Sequence, residues 1–204
     1  MHCSYVLSAL AVFASTASAS LTINNWCSQD VYIYKSNKGG CNVGTNGACS
    51  TASNASPWGI KAGKGASSML TLLWDTDGHG TSIKIAKTSN WKTTPPILQF
   101  EYAWTTGQYA ALYWDLSNLD GSGSELVGTP FKNDNVNISP TGTGSGSGSC
   151  VKLKCPAGVP CKDAYNTPEQ EATHSCPLGT GTMWLDLCEP AGGFSSKREI
   201  SFEA

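Results

Sequence analysis

The stretch Leu98-Gln99-Phe100-Glu101-Tyr102-Ala103-Trp104 decides the fold class. Leu98, Phe100, Tyr102 and Trp104 fall on one side of an extended chain; Gln99, Glu101 and Ala103 fall on the other. This is the alternation of a strand with one apolar face and one polar face. Working outward, Tyr109 to Trp114 reads as a second aromatic strand that runs into Asp115-Leu116-Ser117-Asn118-Leu119-Asp120-Gly121. Upstream, Ser82-Ile83-Lys84-Ile85-Ala86-Lys87 alternates with Ile83 and Ile85 inward and the lysines outward. Met69 to Trp74 and Val31-Tyr32-Ile33-Tyr34 are further β-rich runs. Asp75-Thr76-Asp77-Gly78-His79-Gly80 carries an Asp-Gly pair and predicts a hairpin turn between its flanking strands. Val136 and Ile138 form a short strand that Pro140 should stop. Helical periodicity is nearly absent, so the reading is all-β.

The ends and the cysteines point outside the cell. Val6 to Ala14 is a short apolar run followed by Ala17-Ser18-Ala19, an A-x-A cleavage site, so residues 1–19 read as a signal peptide and the mature chain as 20–204. The run is too short to span a bilayer, and the charged tail 189–204 lacks the apolar stretch a lipid anchor needs. Cys3 leaves with the leader. Cys27, Cys41, Cys49, Cys150, Cys155, Cys161, Cys176 and Cys188 remain, an even set that reads as four disulfides. Their spacing lacks the tight C-x2-C pairs of zinc modules, and Asp75, Asp77 and His79 lack the spacing of a calcium loop. No metal or cofactor is expected. The net charge of −2 argues against nucleic acid and anionic membrane. Asn54 and Asn137 stand in glycosylation sequons, expected on surface loops.

Thr141 to Ser149 is a Gly/Ser/Thr tract that by itself reads as a flexible linker. It joins a β-region, 20–140, to a cysteine-rich segment, 150–188, too small to bury its own core. That segment is expected as a stapled lobe docked on the β-region within one domain. His174, between lobe cysteines, reads as a surface residue, and Trp91 as an exposed ring able to stack on a sugar.

Three stretches resemble the thaumatin-like family. They are Leu21-Thr22-Ile23-Asn24-Asn25-Trp26-Cys27 with Val31-Tyr32, then Tyr113 to Gly121 with Asn137-Ile138-Ser139-Pro140, and Cys161-Lys162-Asp163-Ala164-Tyr165-Asn166. The phrase Gln99 to Tyr102 beside Trp114 to Ser117 is similar to the small fungal cell-wall branch, which includes CetA-like and antigenic, yeast-phase-specific members. The resemblance implies a flattened two-sheet sandwich with a small disulfide lobe. It implies the pairs Cys27–Cys188, Cys41–Cys49, Cys150–Cys176 and Cys155–Cys161. It also implies an acidic cleft. Glu101, Asp115 and Asp120 match its carboxylate positions, and Glu169 or Glu171 falls near a further one. The family's cleft Arg is absent: Arg198 lies in the tail, and Lys84 offers only a loose substitute.

Two carboxyl groups flanking a glycosidic bond are the machinery of glycoside hydrolysis, with one held protonated. Glu101 would be the acid and Asp115 or Asp120 the base or nucleophile. The expectation is a secreted, monomeric wall protein that binds β-glucan or a related polysaccharide, with weak turnover at most. An endo-β-1,3-glucanase acting through Glu101 with Asp115 or Asp120, and an adhesin or effector that binds host surface proteins, are the alternatives.

Overall fold

The computed structural model describes residues 19–37, 41–43, 49–50, 57–63, 66–72, 80–90, 95–120 and 129–191. Among the described residues thirteen strands fill two sheets: β1 (Ala19–Asn25), β2 (Val31–Asn37), β3 (Cys41–Val43), β4 (Cys49–Ser50), β5 (Trp58–Ile60), β6 (Ala66–Leu72), β7 (Thr81–Ala86), β8 (Leu98–Trp104), β9 (Ala111–Ser117), β10 (Val136–Gly142), β11 (Leu153–Cys155), β12 (His174–Pro177) and β13 (Thr180–Leu187). The smaller sheet runs β11-β10-β13-β1-β6. The larger runs β12-β9-β8-β7-β2-β3-β4, with β5 also on β2.

The core lies between them. Leu21 and Ile23 of β1, Leu72 of β6 and Met183, Leu185 and Leu187 of β13 are buried from one side. Ile33, Ile83, Ile85, Phe100, Leu112, Trp114 and Leu116 are buried from the other. Phe100 stacks on Trp114 with ring centroids 6.1 Å apart. Each such large side chain contributes about 1.5–3 kcal/mol by leaving water. Trp104 reaches across the layers, and its indole N–H donates to the Leu72 carbonyl at 3.1 Å.

Asn25 ties the end of β1 to the segment after β5. It is fully buried. Its side-chain nitrogen lies 3.0 Å from the Gln29 carbonyl, 3.1 Å from that of Ile60 and 3.0 Å from that of Lys61. Its Oδ1 accepts from the Cys27 N–H at 3.0 Å. Asn25→Ala leaves the buried Ile60 carbonyl and Cys27 N–H without this partner. The expected loss is about 3 kcal/mol, read as a lower urea midpoint with unchanged slope.

Several sequence expectations are corrected. The strands flanking Asp75 to Gly80 do not form a hairpin: β6 pairs with β1 in the smaller sheet, whereas β7 pairs with β2 and β8 in the larger. An Asp-Gly pair marks a reversal of the chain but does not choose a partner strand. The dipeptide itself lies outside the described residues. The second aromatic strand starts at Ala111, because Tyr109 belongs to a 3-10 turn, Gly107–Tyr109. Pro140 does not stop β10, which pairs with β13 through Pro140↔Met183 and is then offset at a bulge. The partner β11 ends opposite Ile138, so Pro140 sits where β10 is an edge and its missing N–H costs no ladder bond on that side.

The tract 141–149 is not a loose linker. Turn bonds run from Ser145 N to Gly142 O, from Ser147 N to Gly144 O and from Gly146 N to Cys150 O. Gly144, at φ 78, passes so close to Pro177 that a Cβ there would lie 2.2 Å from its Cγ. Only glycine allows both that backbone and that approach.

The lobe is built into both sheets: β11 extends the smaller and β12 extends the larger. Its disulfides are Cys150–Cys176 and Cys155–Cys161, and Cys27–Cys188 joins the first strand region to the last. Cys41 and Cys49 lie in the paired strands β3 and β4, but the expected bond between their side chains lies outside what is described, as do sequon Asn54 and residues 1–18 of the expected leader. Asn137 is not on a loop. It lies within β10 and is 8% exposed, because strand pairing on both sides encloses it.

Candidate functional site

The outer face of the larger sheet gathers the carboxylates. Phe100, Tyr102, Trp114 and Leu116 turn inward, so alternation sends Glu101 and Asp115 outward. The antiparallel register then sets Ser82, Glu101 and Asp115 in one row across β7, β8 and β9, and Lys84, Gln99 and Ser117 in the next. Asp120, just past β9, forms an ion pair with Lys84. The Gln99 amide donates to Ser82 Oγ at 2.9 Å and to Glu101 Oε1 at 3.2 Å.

Two carboxylates directly opposite on neighbouring strands repel when both are charged. Burial pushes the Asp115 carboxyl up to about 7, and the charge of Glu101 adds to the rise. Asp115 Oδ1 is buried with no hydrogen-bond partner among the described residues. Burial also raises Glu101, and the charge of Asp120 works in the same direction; Lys84 and the Ser82 hydroxyl oppose it. At neutral pH the pair therefore holds a proton for part of the time, as donor and acceptor side by side.

The lobe flanks this face along the edge of β9 that faces away from β8. Residues 174–177 pair with 111–114. Farther on, Tyr165 bridges Ser117, with Asn118 N to Tyr165 O and Tyr165 N to Leu116 O both at 2.8 Å. Asn118 and Asn166 lock that corner: Asn118 Nδ2 donates to Asn166 Oδ1 at 3.0 Å, and Asn166 Nδ2 donates to the Cys161 carbonyl at 2.8 Å.

The structure thus brings Glu101, Asp115, Asp120 and Lys84 together. Lys84 is a specific partner of Asp120, tighter than the loose charge expected of it. Glu169 and Glu171 are exposed in the lobe, and no hydrogen bond or ion pair among the described residues joins them to the cluster. Trp91 lies outside the described residues. His174 is not a free surface residue: it is half-buried, stacks on Trp114 at 4.8 Å and lies with Nδ1 3.2 Å from the Ser149 carbonyl. Its place in β12 opposite Trp114 draws it in. Ser82, Gln99 and Tyr165 went unmarked in the sequence. Ser82 was within reach, since pairing two alternating strands aligns it with Glu101; Tyr165 depends on the docking of the lobe.

Comparison with known proteins follows from this architecture. A profile of the family described as "Bys1: Blastomyces yeast-phase-specific protein" matches residues 59–189, more than half of the chain. The chain belongs to this family. Its two sheets closing on one core make it an all-β sandwich. Among solved structures it is similar to the protein elicitor MoHrip2 from Magnaporthe oryzae, with a TM-score of 0.55 and 18% identity over 83% of this chain and 98% of that one. It also matches the thaumatin-like xylanase inhibitor TLXI, with a TM-score of 0.42 and 15% identity over 82% of this chain and 98% of that one. At such identities a structural likeness speaks to fold alone. No curated protein matches the chain.

Proposed function

We propose that this yeast-phase-specific family member is a secreted, monomeric wall protein that binds β-glucan or a related polysaccharide on its acidic face, with little or no hydrolysis. The observation that carries this reading is the cross-strand pair Glu101–Asp115 beside the Lys84–Asp120 ion pair. Sugar hydroxyls both donate and accept, and a half-protonated carboxyl pair next to an ammonium offers both roles. Three disulfides among the described residues support an oxidising, extracellular setting.

One observation favours a hydrolytic second reading. A carboxyl held near neutrality is what a general acid requires, and Asp115, rather than Glu101, is the more strongly raised of the pair. Against it stands the cationic group. An ammonium is a point charge without the planar fork of a guanidinium, and Lys84 is already engaged by Asp120, so a sugar is held less firmly for reaction. A misplacement of about 1 Å can cost roughly a hundredfold in rate.

A sedimentation panel on insoluble β-1,3-glucan, chitin, cellulose and xylan tests the reading, with released oligosaccharide measured in parallel. Retention on β-1,3-glucan with negligible release is expected. Failure to bind any of the four would shift the protein to recognition of host surface proteins.

A further inference from the structure

The outer face of the smaller sheet is buried over its middle strands and opens at one end. Register sets Asn24, Asp186, Asn137 and Lys154 in one row across β1, β13, β10 and β11. Asp186 is 1% exposed, and its Oδ1 accepts from Asn24 Nδ2 at 2.7 Å and from the Trp26 indole N–H at 3.1 Å. At Asn137 the row meets a groove of about 580 Å³ that Lys152, Lys154 and Glu189 also line. That is the size of a small-molecule site, far more than one ion or one water fills.

The walls of the groove are tied. The Cys155–Cys161 disulfide holds the β11 wall, and Cys27–Cys188 anchors the residue before Glu189. Asn135 joins the two walls. Its Nδ2 donates to the Glu189 carbonyl at 3.0 Å, and its Oδ1 accepts from the Ala157 N–H at 3.0 Å. Its own carbonyl accepts from the Glu189 N–H at 3.1 Å. A site held in this way needs little ordering when a ligand enters.

The fold does not use the charges on the groove. Leu153 is buried, so Lys152 and Lys154 on either side of it turn outward. Both are exposed, and they stand about 7 Å apart along the strand. Neither forms an ion pair among the described residues, whereas Lys61, Lys84 and Lys87 are each matched by an aspartate. Glu189 is 9% exposed and Asn137 8%. The side chains of both have no hydrogen bond among the described residues. Polar groups so enclosed are costly unless something in the groove bonds to them.

These groups select their ligand together. The two ammonium groups attract an anion. The Glu189 carboxylate only accepts, so it needs hydroxyl donors, and the Asn137 amide both donates and accepts. A hydroxyl-rich chain that carries anionic groups meets all four; an inorganic anion leaves Glu189 unmet. A nucleic acid strand brings bases that stack on rings, and no aromatic side chain among the described residues lines the groove. We propose that this groove is a second glycan site, apart from the acidic face, that takes an anionic sugar chain: its carboxylate or phosphate on Lys152 and Lys154, its hydroxyls on Glu189 and Asn137. This inference does not rest on the acidic-face reading.

The test is titration of the full chain with tetragalacturonate, mannose 6-phosphate, neutral maltotetraose and a tetranucleotide, following the amide signals of residues 152–155 and the Asn137 side-chain amide. At least one of the two acidic sugars should shift these signals, less so as salt rises, and the one that binds tells carboxylate from phosphate. Maltotetraose should leave them in place. Lys152→Gln with Lys154→Gln, both on the surface, should weaken binding about tenfold. Glu189→Gln should weaken it about threefold although it removes a repelling charge, because a neutral amide accepts less strongly than a carboxylate. The proposal is overturned if neither acidic sugar moves the signals, if maltotetraose moves them equally, or if the double lysine variant binds as the parent does. Tighter binding by Glu189→Gln, or a tetranucleotide that binds as well as the acidic sugars, would also overturn it, since the groove would then be reading charge alone.

Discussion

Removing the Cys27–Cys188 disulfide by the double substitution Cys27→Ser and Cys188→Ser is expected to lower stability by about 4–5 kcal/mol. The bond spans 161 residues of sequence. In the chain-entropy account a cross-link restrains the unfolded chain more as the loop lengthens, and this loop holds almost every strand. The native geometry accepts the bond readily. β1 and β13 run parallel, Asn25 lies opposite Leu187, and the two cysteines follow at adjacent strand ends with Cα atoms 5.0 Å apart. The comparison is Cys155→Ser with Cys161→Ser, which opens a bond of sequence separation 6 and should cost much less. Guanidinium unfolding followed by tryptophan fluorescence reads both. Equal losses in the two variants would contradict the loop-length account.

The second large effect is a pH dependence set by Asp115. Its carboxyl is raised from 3.8 to about 7 in the folded state. The folded protein therefore holds this proton more tightly than the unfolded chain does. Stability from this group is complete below about pH 4 and is lost as pH rises through 7. The shift corresponds to roughly 4 kcal/mol, and screening at a partly exposed site reduces it to about 2 kcal/mol. Asp115→Asn removes the titration. The variant should match the parent at pH 4 and exceed it by about 2 kcal/mol at pH 8. Chemical unfolding at the two pH values decides it. A variant that is equally stable relative to the parent at both would show that Asp115 titrates normally.

How far the sequence led depends on the range of each signal. The period-2 pattern of Leu98 to Trp104 is a local property, so β8, its buried face and the outward Glu101 were readable from seven residues. The placing of Asp115 opposite Glu101 followed almost as directly, because β8 and β9 are joined by a short connection and neighbouring strands tend to pair. The partner of β6 was not readable. Its alternation is equally satisfied in either sheet, and the pairing with β1 is decided by how the whole sandwich closes. The Gly/Ser tract misled for a related reason. Its composition allows disorder, whereas its order comes from Pro177 and Cys150, distant or covalently fixed contacts that composition does not encode. The smaller-sheet face around Asp186 went unmarked because its parts come from the start (Asn24, Trp26), the middle (Asn137) and the end (Asp186) of the chain and meet only through the parallel β1–β13 and antiparallel β10–β13 pairings.

The most direct test of the central proposal is calorimetric titration of a soluble β-1,3-glucan into the parent protein, Glu101→Gln and Asp120→Asn, with reducing ends assayed in the same samples. Glu101→Gln removes a charge that Gln99 and Ser82 position, and Asp120→Asn removes both a carboxylate acceptor of the site and the partner that holds Lys84 in place. The account predicts that the parent binds, that each substitution weakens binding about tenfold, and that few reducing ends appear. Undiminished binding by both variants, or vigorous oligosaccharide release by the parent that Glu101→Gln abolishes, would contradict it.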